Sequence, residues 1–105
     1  MKAWVLHGVN QLSFEEVAKA SPGAGEVLVS VRAAGVCGSD IPRIYRTGAH
    51  SHPLIPGHEF SGEVAALGDG ADSRWLGERV GIFPLIPCGK CAPCRKRQYE
   101  MCRNY

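Results

Sequence analysis

Four cysteines within fifteen residues, Cys88, Cys91, Cys94 and Cys102, limit what this chain can fold into more than any other feature. Their spacing is Cys-x2-Cys-x2-Cys-x7-Cys. A Cys-x2-Cys turn brings two sulfurs onto one ion at about 2.3 Å from each, and four thiolates with no open position describe a structural zinc site. Gly89, Pro87 and Pro93 favour turns over helix there. Two other metal chemistries fit less well. Ferredoxin-type runs also use Cys-x2-Cys-x2-Cys, but their fourth cysteine follows after three residues. A nucleic-acid-binding zinc finger needs a much longer central loop. The segment from about residue 86 to 105 holds too little apolar material to fold alone, so a metal has to close it. Lys90, Arg95, Lys96, Arg97 and Arg103 compensate the charge of four thiolates on one zinc.

The remaining bounds are brief. A chain of 105 residues is one small domain, so residues 1–105 are expected to form a single unit with the zinc lobe at its end. A net charge of +2 gives no reason to expect a nucleic-acid partner. Five cysteines, an odd number, argue against a secreted disulfide framework and for thiols kept reduced in the cytoplasm. The first apolar run, Met1–Leu6, is too short for a signal peptide, and no stretch approaches a membrane span.

Upstream of the lobe the pattern is β. Met1–His7 alternates, with Ala3, Val5 and His7 opposite Lys2, Trp4 and Leu6. Gly8-Val9-Asn10 turns the chain and Leu12–Val17 returns as a hairpin. Glu26–Val36 is the clearest strand, with Val27, Val29, Val31 and Ala33 on one face and Ser30 and Arg32 on the other. A short helix is expected from Ser39 or Asp40 through about Tyr45, with Pro42 in its first turn. His58–Leu67 and Glu78–Leu85 read as two more strands. Several strands with Gly/Pro punctuation and almost no helix predict a mainly β, partly barrelled domain.

A second constellation lies within these strands. Cys37-Gly38-Ser39-Asp40 ends one strand, and Gly57-His58-Glu59-Phe60-Ser61-Gly62 begins another. Sulfur, nitrogen and oxygen donors with one position left open describe a catalytic zinc, with Cys37, His58 and Glu59 as candidate ligands. Asp40 could accept the far ring N–H of His58, or simply cap the helix. The Ser39 hydroxyl could relay a proton from a bound alcohol, or cap the same helix. Gly57 and Gly62 let the backbone bend and approach closely. Each residue also has a plainer use: Cys37 as a small buried apolar group, and His58-Glu59 as a surface pair. His50 and His52 read as solvated loop residues and His7 as structural. Arg43 and Arg46 could pair with an anionic substrate group or stay solvated.

Taken together, these residues resemble a known family. Gly57-His58-Glu59-x2-Gly62-x5-Gly68 looks like the signature of the zinc-containing medium-chain alcohol and polyol dehydrogenases. Cys37-Gly38-Ser39-Asp40, Gly77-Glu78-Arg79-Val80 and the four-cysteine lobe match in type, order and spacing. Within the family, the stretch from Cys37 to His50 is most similar to the galactitol-1-phosphate and sorbitol dehydrogenase-like members. The resemblance implies a GroES-like, partly open β-barrel. It implies Cys37, His58 and Glu59 at a catalytic zinc, Ser39 on the substrate hydroxyl, and Cys88, Cys91, Cys94 and Cys102 at a structural zinc. The reaction implied is oxidation of a small-molecule alcohol or polyol, with hydride passing to NAD or NADP. A homodimeric or homotetrameric parent protein is implied as well.

This sequence departs from the pattern twice. Pro42 stands where many alcohol-oxidising members carry a relay histidine, so any proton relay runs through another group or water. No Gly-x-Gly-x-x-Gly occurs, so the Rossmann domain that would bind the nicotinamide is absent from these residues. The chain therefore reads as the N-terminal piece of a longer enzyme, inactive by itself. The rival readings are a non-catalytic zinc-stabilised β module, in which Cys37 and His58 are merely buried, and a GroES-like assembly module, which needs neither cluster.

Overall fold

The first hairpin pairs β1 (Lys2–Gly8) with β2 (Gln11–Glu16), antiparallel, with Trp4 opposite Phe14 and Leu6 opposite Leu12. Asn10, at φ 60°, makes the turn, a backbone state that asparagine tolerates better than most residues. Val5 and Leu6 are buried on opposite faces, so the strand is covered from both sides at its middle. Leu6 also bridges to Leu54 through reciprocal N–H···O bonds of 2.8 and 3.1 Å. The computed structural model that gives this architecture describes residues 1–104; Tyr105, the expected end of the zinc lobe, lies outside the described residues.

A second sheet holds β3 (Val27–Ala34), β4 (Phe60–Leu67) and β5 (Arg79–Gly81), all antiparallel, with β4 in the middle. Helix is confined to short turns. Helix α1 (Asp40–Pro42) widens into a π-type turn, Arg43–Thr47, and α2 (Ala92–Arg95) sits inside the cysteine lobe. The mainly β expectation therefore holds.

Four local expectations need correction. The strand expected over Glu26–Val36 is shorter, and its strict alternation fails. The register shifts between Leu28 and Val29 and again between Val31 and Ala33, and a bulge exchanges the two faces. Val31, in continuous register with Val29, is nonetheless half exposed. The strand expected from His58 starts at Phe60, so His58 and Glu59 lie on the approach to β4. Of the apolar stretch Glu78–Leu85 the strand itself is only Arg79–Gly81, flanked by the Val64 N–H to Glu78 carbonyl bond at 2.9 Å and the Ile82 N–H to Phe60 carbonyl bond at 3.0 Å, and Pro84 has no N–H with which to extend it. Ser39 occupies the N-cap of α1 but makes no capping hydrogen bond, being itself helical at φ −72°, ψ −20°.

Two glycines of the His58 stretch are required for different reasons. Gly57 lies at φ 114°, where an L side chain is strained. A Cβ on Gly62 would stand 2.3 Å from the Ser30 carbonyl oxygen and 2.7 Å from Val29 Cγ1. Strands β3 and β4 meet so closely there only because one residue has no side chain.

Two candidate metal centres

The first centre forms where the end of β3 meets the approach to β4. Ligand atoms of Cys37, His58 and Glu59 all lie within 4.8 Å of one another. The backbone brings them together through the Gly35 N–H, which donates to the Glu59 carbonyl at 2.7 Å. A Cβ at Gly35 would come within 3.1 Å of Glu59 Oε2, the mobile end of an exposed side chain.

Asp40 organises the other side. It is 3% exposed, its Oδ2 accepts the Cys37 N–H at 3.0 Å, and its own N–H donates to the Cys37 carbonyl at 3.0 Å. This reciprocal pair folds the Cys37–Asp40 turn, so the carboxylate serves the turn before the helix rather than capping the helix. Asp40 Oδ1 accepts no hydrogen bond, although His58 Nδ1 stands 3.4 Å away and Arg43 Nη1 3.8 Å. A buried carboxylate oxygen without a donor is costly. It is what the far ring N–H of a ligand histidine satisfies once the opposite nitrogen is engaged. The donor set, its spacing and this orphaned oxygen together fit a zinc ion at Cys37, His58 and Glu59.

A cavity of about 340 Å³, lined mainly by apolar groups of Val31, Ile55, Pro56 and Phe60, opens against His58 and Glu59. A larger concavity of about 850 Å³ runs along Arg32, Glu63, Glu78 and Arg79, away from both centres. It is a shallow charged surface groove containing the Arg32–Glu63 pair at 3.6 Å.

Ser39 is exposed and its hydroxyl has no cap to satisfy, which leaves it free for other partners. His52 is exposed, as expected of a loop histidine, and its ring also contacts the Leu6 carbonyl at Nδ1, 3.2 Å, and accepts from the Ala49 N–H at Nε2, 3.3 Å. His50 is exposed, and His7 pairs with Glu15 at 2.6 Å on the exposed side of the hairpin.

The second centre is the cysteine lobe. Ligand sulfurs of Cys88, Cys91, Cys94 and Cys102 all lie within 4.8 Å of one another. Cys91 and Cys94 are 3.3 Å apart and Cys88 and Cys94 are 4.0 Å apart, with all four thiols free. A tetrahedron of sulfurs about 2.3 Å from a zinc has edges of about 3.8 Å, so the set fits one ion. Backbone N–H groups point at the sulfurs. Cys102 Sγ accepts from Cys88 N–H at 3.3 Å and from Asn104 N–H at 3.4 Å. Asn104, a contributor not foreseen from sequence, also reaches Cys88 Sγ at 3.8 Å.

These surroundings split the thiols. The Lys90 and Cys91 amides lower Cys88 to about 6. The Arg103 and Cys94 amides lower Cys91. Burial, then the neighbouring Cys91 thiol, pushes Cys94 up to about 12. At neutral pH the metal-free lobe therefore carries a Cys88 thiolate and a protonated Cys94. A four-thiolate site must expel the Cys94 proton, so zinc affinity rises with pH and falls as pH falls. Calorimetry in buffers of different ionisation enthalpy is expected to show at least one proton released per zinc at pH 7.5. Apparent affinity should drop at least about tenfold per pH unit from 8 to 6, and more steeply below 6 as Cys88 protonates. A pH-independent affinity would contradict a site that needs the Cys94 thiolate.

Comparison with known proteins places both centres in context. Residues 23–105 match the family of the alcohol dehydrogenase GroES-like domain. Galactitol 1-phosphate 5-dehydrogenase of Escherichia coli strain K12 is 46% identical over 80 residues, covering 76% of this chain and 23% of that protein. Sorbitol dehydrogenase of Bacillus subtilis strain 168 is 36% identical over 107 residues, covering 97% of this chain and 30% of that protein. The crystal structure of galactitol-1-phosphate dehydrogenase from Escherichia coli superposes with a TM-score of 0.89 at 40% identity, covering 100% of this chain and 31% of that one. A cobalt- and zinc-bound thermostable alcohol dehydrogenase from Pyrobaculum aerophilum superposes at 0.88 with 33% identity, covering 99% and 32%. The chain thus spans about a quarter to a third of the length of these relatives.

Proposed function

The chain belongs to the alcohol dehydrogenase GroES-like domain family, and from that premise we propose that it is the N-terminal part of a zinc-dependent, NAD(P)-linked dehydrogenase. The substrate is a sugar alcohol or sugar-alcohol phosphate, oxidised to the ketose. Residues 1–105 form one catalytic-type domain, with a structural-zinc lobe from about residue 86. The nicotinamide is bound by a domain outside these residues. The longer protein is a cytoplasmic homodimer or homotetramer without nucleic-acid or membrane partners. Among the described residues no helix is long and apolar enough to cross a membrane.

The observation that carries the reading is the convergence of Cys37, His58 and Glu59 donors with Asp40 buried behind them. When bound, zinc supplies Lewis-acid polarisation of the alcohol oxygen and the nicotinamide accepts the hydride. The chain's own residues do the rest. Cys37 Sγ, a His58 ring nitrogen and a Glu59 carboxylate oxygen hold the centre. Asp40 Oδ1 faces His58 Nδ1 and fixes which nitrogen carries the proton. Ser39 Oγ, exposed and uncapped, accepts the substrate hydroxyl proton and passes it to water, since Pro42 offers no relay. The apolar walls around His58 exclude bulk water from the reacting carbon.

Zinc titration of Cys37→Ala tests this. The variant is expected to lose a second, weaker zinc while keeping the tight one in the lobe. Two unchanged zincs would remove Cys37 from the centre. A single zinc in both would show that these three donors do not hold metal unaided, and a single zinc in the longer protein as well would leave the non-catalytic, zinc-stabilised β module as the correct description.

A further inference from the structure

We infer that Arg43 is a positioning residue for the first centre and acts through Asp40: its charge keeps the buried carboxylate where it meets His58. This rests on the reading of Cys37, His58 and Glu59 as the metal centre. Asp40 is 3% exposed, and a carboxylate taken out of water needs a counter-charge. The centre itself does not supply one. A divalent ion is balanced by the Cys37 thiolate and the Glu59 carboxylate, and a ligand histidine is a neutral imidazole. Among the described residues the basic groups within 4.0 Å of the Asp40 carboxylate are His58 and Arg43. Once His58 is a ligand, the counter-charge falls to Arg43.

The backbone sets the pair. The Arg43 N–H donates to the Asp40 carbonyl and closes one turn, which brings the two side chains together at i and i+3. Nη1 then lies 3.8 Å from Oδ1, in charge contact but beyond hydrogen-bonding distance. That separation matters, because Oδ1 accepts no hydrogen bond and His58 Nδ1 stands nearer, at 3.4 Å. Arg43 balances the carboxylate without taking the place of the histidine N–H. The other oxygen, Oδ2, is held by the Cys37 N–H at 3.0 Å, so one carboxylate orders two of the three ligands. Without the guanidinium charge, water is the better surrounding for Asp40. As the carboxylate turns outward, the Cys37–Asp40 turn loosens and His58 loses the acceptor for its far N–H. Arg46, exposed on the same turn, has no carboxylate within 4.0 Å among the described residues and serves as the control.

The test is a titration of the second zinc against a competing chelator, on the chain with its lobe already loaded. Asp40→Asn is expected to weaken that zinc about 10–100-fold, as loss of the partner behind a ligand does. Arg43→Gln should weaken it at least about threefold, Arg43→Lys should recover most of that loss, and Arg46→Gln should change it by less than about twofold. The double variant Asp40→Asn/Arg43→Gln should match Asp40→Asn alone, because the arginine acts through the carboxylate. Tighter zinc in Arg43→Gln would make Arg43 a charge that merely repels the ion. Additive losses in the double variant would show that it acts without Asp40. Either result overturns the inference. Exchange of the Cys37 amide, read by NMR at one equivalent of zinc, tests it without the second metal. Arg43→Gln should speed that exchange at least about threefold, and Arg46→Gln should not. Unchanged exchange in Arg43→Gln overturns the inference at any zinc content. A chain that holds only the lobe zinc, yet exchanges faster in Arg43→Gln, keeps the role of the arginine and removes the claim that the three donors bind metal unaided.

Discussion

Replacing Cys94 with serine abolishes zinc retention in the lobe and leaves residues 88–104 without fixed structure. Within this segment the buried apolar positions are Cys94 and Cys102, two of the four ligands themselves. Its regular structure amounts to α2 and a three-residue 3-10 turn, Tyr99–Met101. Pieces so short do not persist without tertiary support. Lys90, Arg95, Lys96, Arg97 and Arg103 stand within 4.0 Å of no carboxylate among the described residues, so without thiolates they repel one another. A structural zinc supplies about 10–16 kcal/mol of apparent binding free energy at neutral pH, more than the whole stability of many small domains. Those same five cations are trypsin sites. Cleavage within 88–104 is expected to accelerate at least about a hundredfold in Cys94→Ser, or in the parent chain with chelator. The hairpin and the β3–β4–β5 sheet should resist as before. Equal protection with and without metal would mean the lobe holds itself together.

Gly62→Ala is expected to be the most damaging single methyl group in the sheet. The new carbon would sit 2.3 Å from the Ser30 carbonyl oxygen, and a backbone atom cannot swing aside as a side chain can. Gly62 pairs with Val31 on one side and Val80 on the other, so relief requires separating the central strand from its neighbours. Overpacking of this kind costs about 3 kcal/mol or more. Gly81 gives the matched comparison. It lies in β5 and pairs with Ser61, but a Cβ there meets nothing within 4 Å, so Gly81→Ala should stay within about 0.5 kcal/mol of the parent. Urea unfolding of the zinc-loaded proteins reads both. Similar midpoints for the two variants would show that the close approach at Gly62 is not what sets the strand spacing. The effect reaches the first centre as well, because β4 carries His58 and Glu59 on its approach.

Both centres were legible from sequence because metal ligation restricts residue type and spacing so severely. Cys88-x2-Cys91-x2-Cys94 has few other uses, and Cys37 with His58 gained meaning from the glycines around them. Strand faces were less legible. The alternation of Val27, Val29, Val31 and Ala33 is regular in sequence, but an extra residue at Arg32 breaks it before Ala33, and such a bulge depends on pairing with β4 rather than on local composition. Gly81 and Pro84 marked interruptions in the stretch Glu78–Leu85, and β5 ends at the first of them. His52 is exposed as read, but its contact with the Leu6 carbonyl was not legible, because it depends on how the loop folds back onto β1. Asp40 offered two roles, and the difference between them lies in a tertiary contact with His58 that no spacing encodes.

Zinc per chain, by elemental analysis of the 105-residue protein and its Cys37→Ala variant after equilibration with excess zinc and desalting, bears most directly on the central claim. Two zincs in the parent and one in the variant are expected, because Cys37, His58 and Glu59 supply three converging donors within the chain and the lobe supplies four more. One zinc in both would mean that Cys37, His58 and Glu59 do not hold a metal without a further ligand from outside these residues. None, or iron in place of zinc, would contradict the account of both.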